Sequence, residues 1–231
     1  MGCECQNPEE KSKEIKVEDK IITKFNEENQ NNELLLSINS NTLPGNPNLK
    51  KSLLKQNFLP NDEFSKYILQ QINSLRVNPQ SYIDIIIKAK NNVTKDKSGI
   101  FIYKSTVKVA INTGEKAFDS VIEILKNTEP MGKLIYNPDL TIVVPNNEND
   151  VKSKEYLPQQ IQKKIDAGIN IKSFWKDIIK DPETCFILTI VDDSGNNAGN
   201  KRNDILDKNN KFIGISSIKL GKSFACYIVI G

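Results

Sequence analysis

The sequence predicts an α+β domain behind a polar N-terminal tail, and three observations support this. Apolar residues recur at helical spacing after Asn61 and again in residues 115–126, which indicates amphipathic helices. Two apolar runs flank a turn at Gly221, as in a β-hairpin. The beginning of the chain is instead rich in Asn, Glu, Lys and Gln. We therefore divide the chain into a tail, residues 1–60, and a domain, residues 61–231.

The composition is that of a globular protein without a nucleic-acid partner. The chain has 231 residues, of which 38% are hydrophobic and 26% charged, so one domain can bury a sizeable core. The formal charge of +3 is too dilute to predict nucleic-acid binding. The sequence contains no histidine, which excludes Ser-His and Cys-His catalytic pairs and removes the commonest zinc ligand.

The sequence predicts a cytoplasmic protein that is not secreted. No apolar run approaches the ~18 residues of a membrane helix, and the N-terminus lacks the apolar region of a signal peptide. Cys185 and Cys226 each lie in an apolar run. In a reducing compartment we expect both to be buried, reduced thiols.

The first five residues, M-G-C-E-C, suggest lipidation at a membrane surface. A glycine after the initiator methionine can be N-myristoylated and a nearby cysteine palmitoylated, although Gln6 stands where the usual pattern has Ser or Thr. A single myristoyl chain binds membranes with an association constant of only roughly 10⁴ M⁻¹. We therefore expect Gly2 to act together with a second acylated residue, Cys3 or Cys5.

Two helices are predicted at the start of the domain. Asn61 is a suitable N-cap, and the acidic residues Asp62 and Glu63 favour the positive end of the helix that follows. An apolar stripe then recurs at helical spacing, formed by Phe64, Ile68, Ile72 and Leu75. Pro79 begins the second helix. We expect its buried face to contain Tyr82, Ile83, Ile86 and Ile87.

The same patterns predict the elements that follow. In chain order they are a turn or strand at residues 100–103, helices at 115–126 and 159–165, and strands at 211–218 and 223–230. Periodicity does not decide whether residues 184–191 form a helix or a strand. Apart from its one helix, the region 152–181 shows no clear pattern.

The stretch around a pair of aspartates carries a family resemblance. An apolar run ends at Asp192 and Asp193, and a polar loop leads to G-N-K-R-N-D-I-L, residues 199–206. This stretch resembles the late part of the CAP superfamily domain (cysteine-rich secretory, antigen 5 and pathogenesis-related proteins, or SCP domains), in which D-D-G precedes R-G-H-R-x-N-I-L. Residues 72–79, I-N-S-L-R-V-N-P, resemble its opening helix, and residues 134–140 the start of its second helix.

The resemblance implies a fold and a site. The fold is a three-layer α-β-α sandwich with a small antiparallel sheet, in which residues 184–191 form a buried helix. CAP domains line a cleft with two histidines and two acidic residues, and many bind a divalent metal there. Here Asn147 and Asn200 stand at the histidine positions, and the family's G-E-N motif is not found. We therefore expect a degenerate cleft without a metal or another cofactor.

The residues around the acidic turn are expected to be structural. Asp192 and Asp193 do not have the spacing of an EF-hand calcium loop, so we expect them to hold backbone N–H groups of the turn. Arg202 and Asn203 match the family's R-x-N-I-L pattern, and we expect them to pin the loop to the sheet. Leu188 is expected in the core behind the turn.

The sequence thus predicts a non-catalytic CAP-domain protein of the cytoplasm. It would act as a binding or scaffold module for a protein partner, held at a membrane by its acylated N-terminus. The alternative is a structural subunit of a large cytoskeletal or axonemal assembly, whose partners order the tail through Leu34-Leu35-Leu36. A third interpretation is a hydrolase, since a shared fold does not fix the activity.

Overall fold

A computed structural model describes residues 59–105, 108–145, 148–193 and 197–231, and it confirms the α+β class. The described residues belong to one compact unit. The lipidation sites Gly2, Cys3 and Cys5, the patch at residues 34–36, and Asn147 lie outside them. No helix in the described part of the chain is both long and apolar enough to cross a bilayer.

Groups of helices and groups of strands follow one another along the domain. The helices are α1 (Glu63–Val77), α2 (Ile83–Lys90), α3 (Glu115–Asn127), α4 (Glu148–Lys152), α5 (Tyr156–Asp166), α6 (Pro182–Val191) and α7 (Asn200–Leu206). The strands are β1 (Val93–Lys95), β2 (Phe101–Lys104), β3 (Lys108–Ile111), β4 (Ile135–Tyr136), β5 (Ser173–Ile179), β6 (Phe212–Leu220) and β7 (Ser223–Ile230). Short 3-10 turns are formed by Pro79–Tyr82 and Pro138–Leu140.

The strands form two sheets. The smaller one is antiparallel, in the order β1-β2-β3, and the larger one has the order β4-β6-β7-β5. In the larger sheet β4 runs parallel to β6, while the other pairs are antiparallel. The resemblance implied one antiparallel sheet, so this part of the expectation was wrong. The predicted hairpin is the β6–β7 pair, and Gly221 with φ +56° supplies the first residue of its two-residue turn.

Helices cover both faces of the larger sheet because its strands are apolar on both faces. Along β7, Cys226 and Ile228 join a core formed with α1, α3 and α6. The alternate residues Tyr227 and Val229 join a second core beneath α4 and α5. Successive side chains of a strand point to opposite faces, and the sheet is therefore the middle layer between two sets of helices.

Helix α1 begins one residue later than predicted. Its N-cap is Asp62, whose carboxylate accepts a hydrogen bond from the backbone N of Ser65 at 2.8 Å. The predicted stripe of α1 is buried, which confirms its inward face. In α2 the expectation for Ile87 was wrong, because it is exposed. The 3-10 turn before α2 shifts the helical register, so that Tyr82 and Ile86 face the core while Ile87 does not.

Two residues of the resembling segment 72–79 tie α1 to distant loops. The amide of Asn73 donates to the carbonyl of Leu134 at 3.0 Å and accepts the N–H of Leu134 at 2.7 Å. The Arg76 guanidinium is 1% exposed and binds only backbone carbonyls: those of Gly132, Ile205, Asp207 and Asn210. We call this set of bonds the Arg76 clamp. Burial lowers the pKa of Arg76, but arginine stays charged in proteins.

The predicted start of a second CAP helix at residues 134–140 is a short strand and a 3-10 turn instead of an α-helix. The backbone N–H groups of Ile135 and Asn137 donate to Lys211 and Ile213, each at 2.8 Å, so this segment is held beside β6. A helix forms only from Glu148 onward. Pro145 lies between the two and lacks the N–H that a helix interior requires.

The region that showed no clear pattern contains a helix and a strand. Helix α5 includes the predicted residues 159–165 and ends at Ala167 and Gly168, where Gly168 has φ +79°. Strand β5 was not predicted, because its apolar residues occur as two adjacent pairs rather than at alternate positions. Trp175 and Ile179 are buried, whereas Phe174 and Ile178 are exposed.

The segment 184–191, undecided by periodicity, is part of α6. Its N-cap Asp181 accepts the N–H of Thr184 at 2.7 Å, and most of the helix is buried. Leu188 packs against the core but is only half-buried, so the expectation that it lies within the core was correct only in part. It lines a groove, whereas Ile190 two residues further on is fully buried.

Candidate functional site

A groove opens where β3 and β5 meet helix α6. Its cavity volume is about 220 Å³. The described residues that line it are Val109, Ala110, Ile111, Asp177, Ile178, Ile179, Cys185, Leu188, Val191, Asp192, Asp193 and Lys201. They include both residues of the predicted acidic turn, and they come from four separate regions of the sequence.

Both walls of the groove are strand edges. Three consecutive residues of β3 and three consecutive residues of β5 line it. Side chains on a strand alternate between faces, so one face alone could not contribute three in a row. Each strand therefore faces the groove along its backbone. Among the described residues, β3 and β5 have a paired neighbour on one side only.

An ion pair lies on one wall. The Nζ of Lys201 is 2.7 Å from Oδ1 of Asp177, and both side chains are mostly buried, at 22% and 29% exposure. The hydroxyl of Thr189 lies 3.4 Å from the other oxygen of Asp177. A pair that retains some contact with water contributes at most about 1 kcal/mol. Its main effect is to connect α7 to β5.

Asp192 shapes the acidic turn from within. It has a left-handed backbone, φ +41°, and is 3% exposed. Its Oδ2 accepts the N–H of Lys201 at 2.9 Å, and its carbonyl accepts the N–H of Gly199 at 2.9 Å. A non-glycine residue seldom adopts this conformation. Here the bonds to α7 hold it in place.

Asp193 joins the acidic turn to the segment that follows β3. Its carboxylate accepts the backbone N–H of Thr113 at 2.7 Å and the hydroxyl of Thr113 at 3.0 Å. Its carbonyl accepts the amide of Asn112 at 2.5 Å. Like Asp192, it thus binds the kind of group expected of a turn residue, although its partners lie 80 residues away in sequence.

Arg202 fastens α7 to helix α6 rather than to the sheet. Its Nη1 donates to the carbonyls of Ile190 at 2.9 Å and Val191 at 3.0 Å. These are C-terminal carbonyls that α6 cannot satisfy internally. Burial lowers the pKa of Arg202, and the nearby Asp192 opposes that shift. The expectation that Arg202 pins the loop to the sheet was therefore wrong, because Arg202 binds helix α6 instead.

Steric constraints explain why the G-N-K-R segment begins with glycine. Gly199 has φ +87°, and a Cβ there would lie 2.6 Å from Nη2 of Arg202. Only glycine both adopts this backbone readily and leaves room for the guanidinium. The spacing between Gly199 and Arg202 thus follows from the way α7 meets α6.

Two further predicted site residues, Asn200 and Asn203, do not line the groove. Asn200 is exposed at the start of α7, and its expected partner in the degenerate cleft, Asn147, is not among the described residues. Asn203 is also exposed, and its N–H donates to the carbonyl of Gly199 within the helix. The expectation that Asn203 pins the loop to the sheet was wrong.

The described residues hold two thiols that contact each other, and they contain no metal-binding cluster. Among them, no group of three or more His, Cys, Asp or Glu side chains could hold a metal ion. Cys185 and Cys226 are free and buried, as their apolar surroundings predicted. A hydrogen bond to Cys185, together with burial, raises the pKa of the Cys226 thiol well above its usual value. That thiol stays protonated at neutral pH.

Sequence reasoning missed the groove itself. The acidic turn was identified through the resemblance, but neither Asp177 nor the free edges of β3 and β5 were. The apolar residues of segment 173–179 are two adjacent pairs separated by Lys176 and Asp177, so the segment lacks the alternation that predicts a strand. Which edge of a strand remains unpaired depends on the sheet order, and no local pattern encodes it.

Comparison with known protein families, with curated proteins and with solved structures gives no match to this chain. The function is therefore inferred from the groove and from the residues that line it.

Proposed function

We propose that this chain is a non-catalytic binding module of the cytoplasm, whose groove between β3, β5 and α6 receives a protein partner. The observation that carries the proposal is that each carboxylate of the groove is held by a group of the chain itself. Asp177 is paired with Lys201, Asp192 with the N–H of Lys201, and Asp193 with Thr113. A general acid or base must instead reach the proton of a substrate.

The size of the groove favours a macromolecular partner over a small molecule. Pockets for small ligands commonly measure about 300–1,000 Å³, and this groove is smaller, at about 220 Å³. It is also open along two backbone edges. Such an opening suits a segment of another chain that lies mostly outside the cavity.

We assign the domain to a CAP-like sandwich as part of this proposal. Helices on both faces of the larger sheet support it, as does the succession of a buried helix, an acidic turn and the segment containing Gly199 and Arg202. Asn200 replaces the histidine of the family pattern. An amide is a poor ligand for zinc-like ions, which favours a binding role without a metal.

A crosslinking experiment tests the binding role. A photo-crosslinking residue in place of Leu188, in the full chain expressed in its own cells, is expected to give a discrete adduct with another protein. Leu188 is half-buried on the groove, so only an occupant of the groove comes within reach. The same residue in place of Glu123, exposed on α3, is the control. No adduct at position 188, or equal adducts at both positions, contradicts the proposal.

A lipid tether is the second part of the proposal. Gly2→Ala prevents myristoylation, so the protein is expected to move from the membrane fraction to the soluble fraction when cells are fractionated. Changing Cys3 and Cys5 together to serine is expected to give nearly the same result, because one chain alone binds weakly. A wild-type protein found only in the soluble fraction rules the tether out.

An observation on the larger sheet favours the alternative role, that of a structural subunit. Ile135 and Phe212 are directly paired on β4 and β6, and each is 41% exposed. Adjacent exposed apolar side chains at a sheet edge suit a contact within an assembly. If the Gly2→Ala protein still sediments after detergent extraction, an assembly rather than a membrane holds it.

A further inference from the structure

We infer that the groove binds an extended segment of a partner protein as an added β-strand between β3 and β5. This inference rests on the proposed function, since it states how the groove holds its protein partner. Strand addition requires unpaired backbone groups at a sheet edge and room for one more strand. The register of the two sheets shows which backbone groups are available.

On β5 the available groups belong to Ile178. Phe212 and Gly231 exchange both backbone hydrogen bonds, at 3.3 and 3.1 Å, which fixes the alternation along the β6–β7 pair. Because that pair has a regular register, Cys226 points its N–H and C=O away from β6 and toward β5, where it faces Asp177. The next residue of β5, Ile178, therefore points its N–H and C=O to the free edge.

On β3 the available groups belong to Ala110. The N–H of Lys104 donates to Asn92 and the N–H of Asp96 donates to Ile100, each at 2.9 Å, so the even-numbered residues of β2 face β1. The odd-numbered residues of β2 then face β3, and Tyr103 is the partner of Val109. The same alternation turns the N–H and C=O of Ala110 to the free edge.

Both free edges open into the same groove. Ala110 is the middle residue of the three that line it from β3, and Ile178 is the middle residue of the three from β5. Both are exposed. An inserted strand directs its N–H and C=O groups alternately to its two sides. Two successive residues of the partner can therefore bond to Ala110 and to Ile178.

The side chains of the groove define the chemistry of the partner segment. Its floor is the face of α6 that carries Cys185, Leu188 and Val191, which favours an apolar side chain directed inward. Among the described lining residues, three carboxylates face one ammonium group. Asp177 is paired with Lys201 and Asp192 is buried, which leaves the carboxylate of Asp193 as the charge open to a partner. The partner segment is thus extended, with alternating apolar residues and a neighbouring basic residue.

A peptide library and a pair of variants at one position test this inference. Random decapeptides selected on the full chain are expected to be enriched in alternating apolar residues with a basic neighbour. Ala110→Pro removes the N–H at the free edge, where proline is tolerated, and is expected to weaken binding about tenfold or more. Ala110→Val keeps that N–H, so it is expected to bind the peptide about tenfold or more tightly than Ala110→Pro does.

N-methylated peptides provide the same test without a change in the protein. Methylation of alternate peptide residues removes backbone donors and is expected to weaken binding about tenfold. For the protein variants, the midpoint of unfolding shows whether each one is folded. If Ala110→Pro unfolds the chain, Ile178→Pro and the methylated peptides decide the question.

Three results overturn the inference: no enriched peptide, equal binding to Ala110→Pro, or equal binding of the methylated peptide. If the wild type forms a dimer and Ala110→Pro does not, the occupant is instead a second copy of the chain. If crosslinks form at Leu188 but Ala110→Pro binds as tightly as the wild type, the groove binds a protein without strand addition. The two proposals therefore fail separately.

Discussion

Arg76→Met is expected to lower the free energy of unfolding by about 4 kcal/mol. The variant keeps a long apolar side chain but loses the guanidinium that donates to four backbone carbonyls. Those carbonyls lie in a buried or partly buried environment, where polar groups without partners are costly. Denaturant unfolding of the wild type and the variant measures the difference.

Two further variants serve as controls for Arg76→Met. Arg76→Lys keeps the charge but replaces the planar fork with one ammonium group, and is expected to recover only part of the loss. Lys126→Met removes an exposed charge at the end of α3 and is expected to change stability by less than about 0.5 kcal/mol. A neutral or more stable Arg76→Met protein means that the cost of burying the guanidinium equals or exceeds what its hydrogen bonds contribute.

Gly214→Ala is expected to destabilise the domain by about 3 kcal/mol. Gly214 is buried in β6, where the backbone of Leu140 crosses the strand. An added Cβ would lie 2.4 Å from the carbonyl carbon of Leu140. Because the obstacle is backbone rather than a flexible side chain, the 3-10 turn at residues 138–140 must move away from the sheet. Thermal unfolding measures the loss.

A second glycine gives the matched control. A Cβ at Gly132 meets no atom within 4 Å, and Gly132→Ala is expected to be neutral or slightly stabilising because alanine restricts the unfolded chain. If Gly214→Ala costs less than about 1 kcal/mol, the segment before α4 is not held as closely to β6 as the structure indicates.

Local patterns predicted the elements whose buried residues follow one period. The stripe from Phe64 to Leu75 and the hairpin around Gly221 are examples. Patterns failed where a distant partner decides the outcome. Residues 135–136 form a strand only because β6 lies beside them, and Leu188 is half-buried because it faces a groove instead of the sheet.

The candidate site was predictable only in part, for a related reason. The resemblance identified Asp192 and Arg202 as residues that organise a turn, and both are buried and hydrogen-bonded. The groove beside them depends on the free edges of two sheets. Ala110 and Ile178 have no distinctive residue type, since their relevance comes from backbone groups that every residue other than proline possesses.

The Arg76 clamp also bears on the order in which the domain is completed during synthesis. Its bonds join residues that lie 56 to 134 positions apart, and contacts of such separation form late because long loops must close first. Helix α7 has seven residues, fewer than a helix needs to be stable alone. The helix that carries Lys201 and Arg202 is therefore not secured on a nascent chain until residues 205–210 have emerged. Strand β5 pairs with β7, so the groove is complete, and open to a partner, only after residues 223–230 follow.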